Sequence, residues 1–214
     1  MLKLPRGPFE GYIFDCDGTL ALSMPIHFRA WQHALKKHEA CFEFTWDIFH
    51  SLAGLGLHYT VEVLNERFDD ILDPDAVLWD QEKFVEEHIH QVKPNEEVVA
   101  LARKLAAKHP VSVATGNNRK GVHAILEAIG AADIFEIVIS QDDVENSKPA
   151  PDIFLLAAER MGCAPKRCLV FEDSPSGIQA AQNAGMKYVW VKPQLHGLHE
   201  KKKEEEEEEE EGGL

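Results

Sequence analysis

Long apolar runs, paired cysteines and an excess of basic charge are all missing from this 214-residue chain. No apolar stretch approaches the ~20 residues that a bilayer-spanning helix needs, and Met1-Leu2-Lys3-Leu4-Pro5-Arg6 has no apolar targeting core. A soluble, cytoplasmic protein without a membrane partner is expected. The four cysteines, Cys16, Cys41, Cys163 and Cys168, show no CxxC spacing, and a chain that is 44% hydrophobic can bury a core without disulfide staples. Free thiols follow. Lys and Arg number 22 against 37 Asp and Glu, a net charge of -15, which disfavours a nucleic-acid backbone as partner. Part of the acidity lies at the end of the chain, where Lys201-Lys202-Lys203 precedes an unbroken run from Glu204 to Glu211. A like-charge block of this kind repels itself, so residues 198–214 are expected to form a disordered acidic tail.

What the chain does contain is a repeated pattern. Four short β-rich apolar runs each lead into polar residues: Tyr12-Ile13-Phe14 into Asp15-Cys16-Asp17-Gly18-Thr19, Val111-Ser112-Val113-Ala114 into Thr115-Gly116-Asn117, Ile137-Val138-Ile139-Ser140 toward Lys148-Pro149, and Cys168-Leu169-Val170-Phe171 into Glu172-Asp173. In an open parallel sheet, ligands bind outside the carboxyl ends of the strands, so these four ends predict one shared site. Its carboxylates, hydroxyl and ammonium suit a divalent cation together with a phosphoryl group. An anionic small substrate is compatible with an acidic body, because a bound cation inverts the local charge balance.

Helical spacing of apolar residues over 96–108, 119–129, 153–161 and 176–184, with Gly130, Gly162 and Gly185 as stops, alternates with the strand runs and implies crossover helices on a parallel sheet. Residues 22–90 break the rhythm. Ser23 and Pro25 start a helix, and 26–37, 44–52, 59–68 and 76–90 read as helices with no strand among them. The fold class is α/β: a Rossmann-like, doubly wound parallel sheet formed by 1–21 and 91–197, with an all-helical cap at 22–90 inserted after the first strand. Placed there, the cap can cover the strand ends as a lid.

In order and spacing, Asp15-x-Asp17-Gly18-Thr19, Thr115-Gly116, Lys148-Pro149-x-Pro151-Asp152-x-Phe154 and Glu172-Asp173-Ser174-x-x-Gly177 resemble the haloacid dehalogenase superfamily. The nearer likeness is to the branch of β-phosphoglucomutase and the small sugar-phosphate phosphatases, including fructose-1-phosphate and 6-phosphogluconate phosphatases. The resemblance implies a Mg2+-dependent phosphatase of small phosphorylated sugars, sufficient as a monomer. Asp15 is then the nucleophile that forms an aspartyl phosphate. Asp17 is the acid and base, with a pKa raised toward the working pH. The metal is held by the Asp15 and Asp173 carboxylates and the Asp17 backbone carbonyl, with Glu172 acting through water. Thr115 and the backbone around Gly116 and Asn117 hold phosphate oxygens, and Lys148 offsets the charge of the transferring group.

Some positions depart from the family pattern. Leu22 and Met24 replace acidic residues between core and cap, and Leu57 stands where mutases of this branch carry a phosphate-clamping arginine, so hydrolysis is favoured over isomerisation. His27 is a candidate substrate-positioning residue near Asp17. Cys16, between the two aspartates, is expected to point away into the packing. A phospho-accepting receiver module shares strand-end aspartates, a hydroxyl and a lysine, but it needs neither a second carboxylate two residues after the nucleophile nor a helical insert. An inactive binding protein is the remaining alternative.

Overall fold

The computed structural model describes residues 2, 4–52 and 55–192; the acidic run of 198–214 and Gly54 in the cap loop lie outside the described residues. Five strands, β1 (Gly11–Phe14), β2 (Val111–Ala114), β3 (Ile137–Ile139), β4 (Cys168–Glu172) and β5 (Lys187–Trp190), form one parallel sheet in the order β3-β2-β1-β4-β5. β1, β2 and β4 are buried along their whole lengths, as their near-continuous apolar runs require. The chain winds from β1 outward through β2 to β3, then crosses to the other side of β1 for β4 and β5. That reversal makes the carboxyl end of β1 the switch point, where a crevice must open between diverging connections.

Alternation along the strands divides the core. Tyr12, Phe14, Val113 and Phe171 face α5 (Glu96–Ala106) and α6 (Arg119–Ala128), while Ile13, Ala114 and Val170 face α7 (Asp152–Arg160) and α8 (Pro175–Asn183). Phe14 and Phe171, paired in register across β1 and β4, stack with ring centroids 4.5 Å apart directly before the two acidic strand ends. Cys16 is fully buried in the α5/α6-side cluster, so it packs as expected. All four cysteines are free. Among the described residues, no helix is long and apolar enough to cross a membrane.

The insert is helical throughout: α1 (Met24–Lys37), α2 (Trp46–Ser51), α3 (Leu57–Phe68) and α4 (Pro74–His88). Phe44, expected within the second helix, precedes it, because the Thr45 hydroxyl accepts from the Ile48 N–H at 3.4 Å and sets the helix start. His90 falls in a 3-10 turn beyond α4. These helices bury their own cluster around Trp31, Phe44, Val61, Leu64 and Val77. The chain enters and leaves the insert side by side, with Leu22 N–H donating to Lys93 C=O and Asn95 N–H to Leu20 C=O, both at 2.8 Å. Across the gap, Asn118 Nδ2 donates to Glu82 of α4 at 2.7 Å, and Lys120 pairs with Glu86.

Inside the insert, α1 and α4 are tied by Asp80, whose carboxylate meets Lys37 Nζ at 2.6 Å and His38 Nε2 at 2.9 Å. Hydrogen bonds from Lys37 and His38 hold the Asp80 carboxyl below its ordinary value. Its contribution to stability is therefore complete above the unfolded carboxyl pKa of about 3.9 and is lost as pH falls through the lower folded value. Thermal unfolding of Asp80→Asn is expected at a lower Tm than wild type at neutral pH, with the two curves converging in strong acid. A pH-independent difference would mean that the carboxylate charge is not what ties the helices.

Candidate active site

All nine residues singled out in the sequence line one cleft at the carboxyl end of the sheet: Asp15, Asp17, His27, Thr115, Gly116, Asn117, Lys148, Glu172 and Asp173. They come from the ends of β1, β2 and β4, from the loop between β3 and α7, and from α1. The two aspartates are not aligned by an extended strand, as their spacing alone predicts. β1 stops at Phe14, and Asp15 to Ala21 form a tight turn in which the Leu20 and Ala21 N–H groups both donate to Cys16 C=O at 2.9 Å. Gly18 has φ +87, and a Cβ there would overlap the Asp173 carboxylate. Only glycine combines that backbone with so close an approach. Thr19 Oγ1 completes the contact, donating to Asp173 Oδ1 at 3.2 Å.

Lys148 is the centre of the site. Its side chain is buried, and its ammonium uses three acceptors: Asp15 Oδ1 at 2.7 Å, Glu172 Oε1 at 2.8 Å and Ala114 C=O at 3.2 Å. The nitrogen also lies 5.1 Å from the centroid of the Phe154 ring. Burial works against this charge, but Asp15 and Glu172 outweigh it and hold the ammonium above its ordinary pKa. Glu172 touches Lys148 directly. Its other oxygen accepts from the Ser174 N–H at 2.6 Å and the Ser174 hydroxyl at 2.9 Å, and a Cβ on Gly177 would overlap the Glu172 side chain.

One ammonium does not balance the carboxylates. Oxygens of Asp15, Glu172 and Asp173, all buried, lie within 4.8 Å of one another. Burial pushes the Asp15 carboxyl up to about 7, with Lys148 pulling it down and Glu172 pushing it up. Asp173 is raised well above the usual range by burial and then by the charges of Glu172 and Asp15. Three crowded hard-oxygen donors short of positive charge fit a small divalent cation such as Mg2+.

Asp17 behaves in the opposite way to the expectation of a raised pKa. Burial does favour its neutral form, but electrostatic attraction to His27 and hydrogen bonds from His27, Ser23 and Asn117 prevail and hold it below the usual carboxylate range. His27 Nε2 lies 2.8 Å from Asp17 Oδ1, Ser23 Oγ donates to the same oxygen at 2.6 Å, and Asn117 Nδ2 reaches Asp17 Oδ2 at 3.2 Å. Ser23 reads in the sequence as a helix start. It precedes α1, but its hydroxyl makes no capping bond and is turned to Asp17 instead. Thr115 is buried, and its hydroxyl accepts from the Asn117 N–H at 3.1 Å. The Asn117 amide side chain and Ser23, Thr19 and Ser174 were thus missed as site residues. Of these, Ser174 alone adjoins an acidic motif residue in sequence, and a polar residue after a strand end is common without any role in a site.

Comparison with known proteins agrees with this geometry. The profile of the haloacid dehalogenase-like hydrolases matches residues 9–185. Fructose-1-phosphate phosphatase YqaB of Escherichia coli strain K12 is 33% identical over 184 residues, covering 86% of this chain and 97% of the relative. The phosphorylated carbohydrates phosphatase of Thermotoga maritima is 27% identical over 186 residues, covering 85% and 84%. Among solved structures, a hydrolase from Pseudomonas syringae superposes with a TM-score of 0.80 at 24% identity, over 91% of this chain and 90% of that one, which speaks to the fold. With the profile spanning most of the sequence and the strand-end acids, lysine and glycine turn in place, the chain belongs to the haloacid dehalogenase-like hydrolase family.

Proposed function

We propose that this hydrolase is a Mg2+-dependent phosphatase of small phosphorylated sugars, of the fructose 1-phosphate or 6-phosphogluconate type, working through a covalent phosphate on Asp15. The observation that carries the reading is the Lys148 ammonium holding Asp15 Oδ1 and Glu172 beside Asp173, with a second carboxyl, Asp17, across the same cleft. The names of the two phosphatase relatives support the substrate class.

The Asp15 and Asp173 carboxylates, with the Asp17 backbone carbonyl, would hold Mg2+, which supplies positive charge to phosphoryl oxygens when bound. Lys148 fixes one Asp15 oxygen and leaves the other to attack phosphorus. That attack forms an oxygen–phosphorus bond and breaks the bond from phosphorus to the sugar oxygen. The sugar oxygen takes a proton held in the Asp17–His27 pair. A pair 2.8 Å apart can share one proton and pass it on. Asp17 then accepts a proton from the water that attacks the phosphorus, and phosphate leaves with Asp15 restored. The helices of the insert close over these steps and limit access of bulk water to the reacting groups.

Phosphate release from fructose 1-phosphate should fall by on the order of 10⁴-fold or more in Asp15→Asn, whose amide is a poor nucleophile. The Asp17→Asn variant should lose ~10²–10⁴-fold. Retained turnover in a folded Asp15→Asn enzyme would sink the covalent route. His27→Gln should lower kcat by roughly tenfold with little change in KM, since it acts on the proton and not on binding; an unchanged kcat would remove His27 from the proton path. Chelation with EDTA should abolish release and added Mg2+ should restore it. Activity that survives exhaustive chelation would dismiss the metal.

A further inference from the structure

The far wall of the cleft, which a leaving group must face, comes from the helical insert and its connecting loops. Its apolar members include Met24, Trp31, Phe49, Leu52, Leu55 and Leu57. Trp31, Phe44 and Phe49 belong to an aromatic network with Phe28 and Trp46, so this wall is stiff and apolar. Besides the Trp31 indole, two polar side chains of the insert reach the cleft among the described residues, and both are engaged. His27 is held by Asp17, and Thr60 Oγ1 donates to Gly56 C=O at 3.0 Å. The undescribed Ala53 and Gly54 carry no charge.

Charge around the cleft is equally one-sided. Among the described lining residues, four carboxyls, Asp15, Asp17, Glu172 and Asp173, face one ammonium and one imidazole. Lys148 is saturated by its three acceptors. Cations on the neighbouring helices have partners elsewhere: Arg29 with Gln91, Lys37 with Asp80, Arg119 with Asp143 and Lys120 with Glu86. One divalent cation can balance the transferring phosphoryl group. It leaves nothing for a second anion at the far end of the substrate.

We infer that the enzyme selects substrates whose leaving group is uncharged, and that the largely apolar insert wall, which includes Leu57, enforces this by offering a second anion no free cation. The inference rests on the phosphatase reading and narrows it to the fructose 1-phosphate type, setting aside the 6-phosphogluconate type. Phosphate esters of neutral sugars are accepted, while phosphorylated sugar acids, phosphoglycolate and bisphosphates are rejected. Desolvating a carboxylate or second phosphate against leucine and aromatic side chains is unfavourable, and the strand-end acids repel it. A neutral sugar presents C–H faces to the same wall without that cost.

The test compares kcat/KM of the full-length enzyme with Mg2+ for fructose 1-phosphate and glucose 1-phosphate against 6-phosphogluconate, fructose 1,6-bisphosphate and phosphoglycolate. The neutral-leaving-group esters are expected to be better by at least roughly tenfold. The gap should narrow as added salt shortens the screening length from about 10 Å at 0.1 M. Leu57→Arg should raise kcat/KM for 6-phosphogluconate relative to fructose 1-phosphate by roughly tenfold, and the uncharged Leu57→Gln should not. Phosphate release from all five compounds with no preference, or a preference for the anionic leaving groups, would overturn the inference and leave the phosphatase reading standing. Release from none of them would overturn that reading and the inference with it. If Leu57→Arg fails to fold, the wild-type panel and its salt dependence decide alone.

Discussion

The buried ammonium of Lys148 is the interaction on which the site depends. It lies between Asp15, from the end of β1, and Glu172, from the end of β4, and donates to the Ala114 carbonyl of β2 as its third partner. Three neighbouring strands are thereby joined at their carboxyl ends by one charged group. An unpaired ammonium in this position would carry the full desolvation cost of a buried ion, so the two carboxylates are as necessary to the lysine as it is to them. The glycines nearby make the same point from the backbone side. Gly18 and Gly177 are small because Asp173 and Glu172 occupy the space where a Cβ would stand.

From this arrangement the electrostatics follow. A single ammonium cannot balance Asp15, Glu172 and Asp173, and burial and mutual repulsion leave Asp15 and Asp173 with raised pKa values. Three crowded hard-oxygen donors of that kind suit a hard cation. Asp17 is kept apart from the cluster by partners of its own, His27, Ser23 and Asn117, and is lowered instead of raised. Two carboxyls two residues apart therefore occupy opposite electrostatic regimes, Asp15 raised by burial and Asp17 lowered by the donors around it.

The helical insert adds the third element. Its aromatic and leucine side chains line the cleft from above, and it is held there by Ile26, Ala30 and Val85 packed into the cluster on the α5/α6 side of the sheet and, at its margin, by Asn118 with Glu82. The chemical half of the cleft thus comes from the sheet and the apolar half from the insert. Charge is concentrated on one side only.

Much of this was legible in the sequence. Strand runs ending in acids, a lysine or a threonine were local patterns, as was the helical period of residues 22–90, and each survives into the structure because strand ends and amphipathic helices depend on neighbouring residues. The identities of Asp15, Asp17, Thr115, Lys148, Glu172 and Asp173 as one group also followed, since a parallel sheet has only one carboxyl edge. Partnership was decided by the tertiary structure. The sequence could not place Ser23 on Asp17 instead of on its own helix, bring the Asn117 amide across 100 positions to the same carboxylate, or set Glu172 directly on Lys148. It therefore predicted the wrong direction for Asp17, because a pKa is set by the charges and donors within a few ångströms, and those came from α1 and the end of β2. Local pattern determined the elements and the chemical inventory. Distance, burial and the pairing of charges, which exist only once the chain has folded, determined what each carboxyl can do.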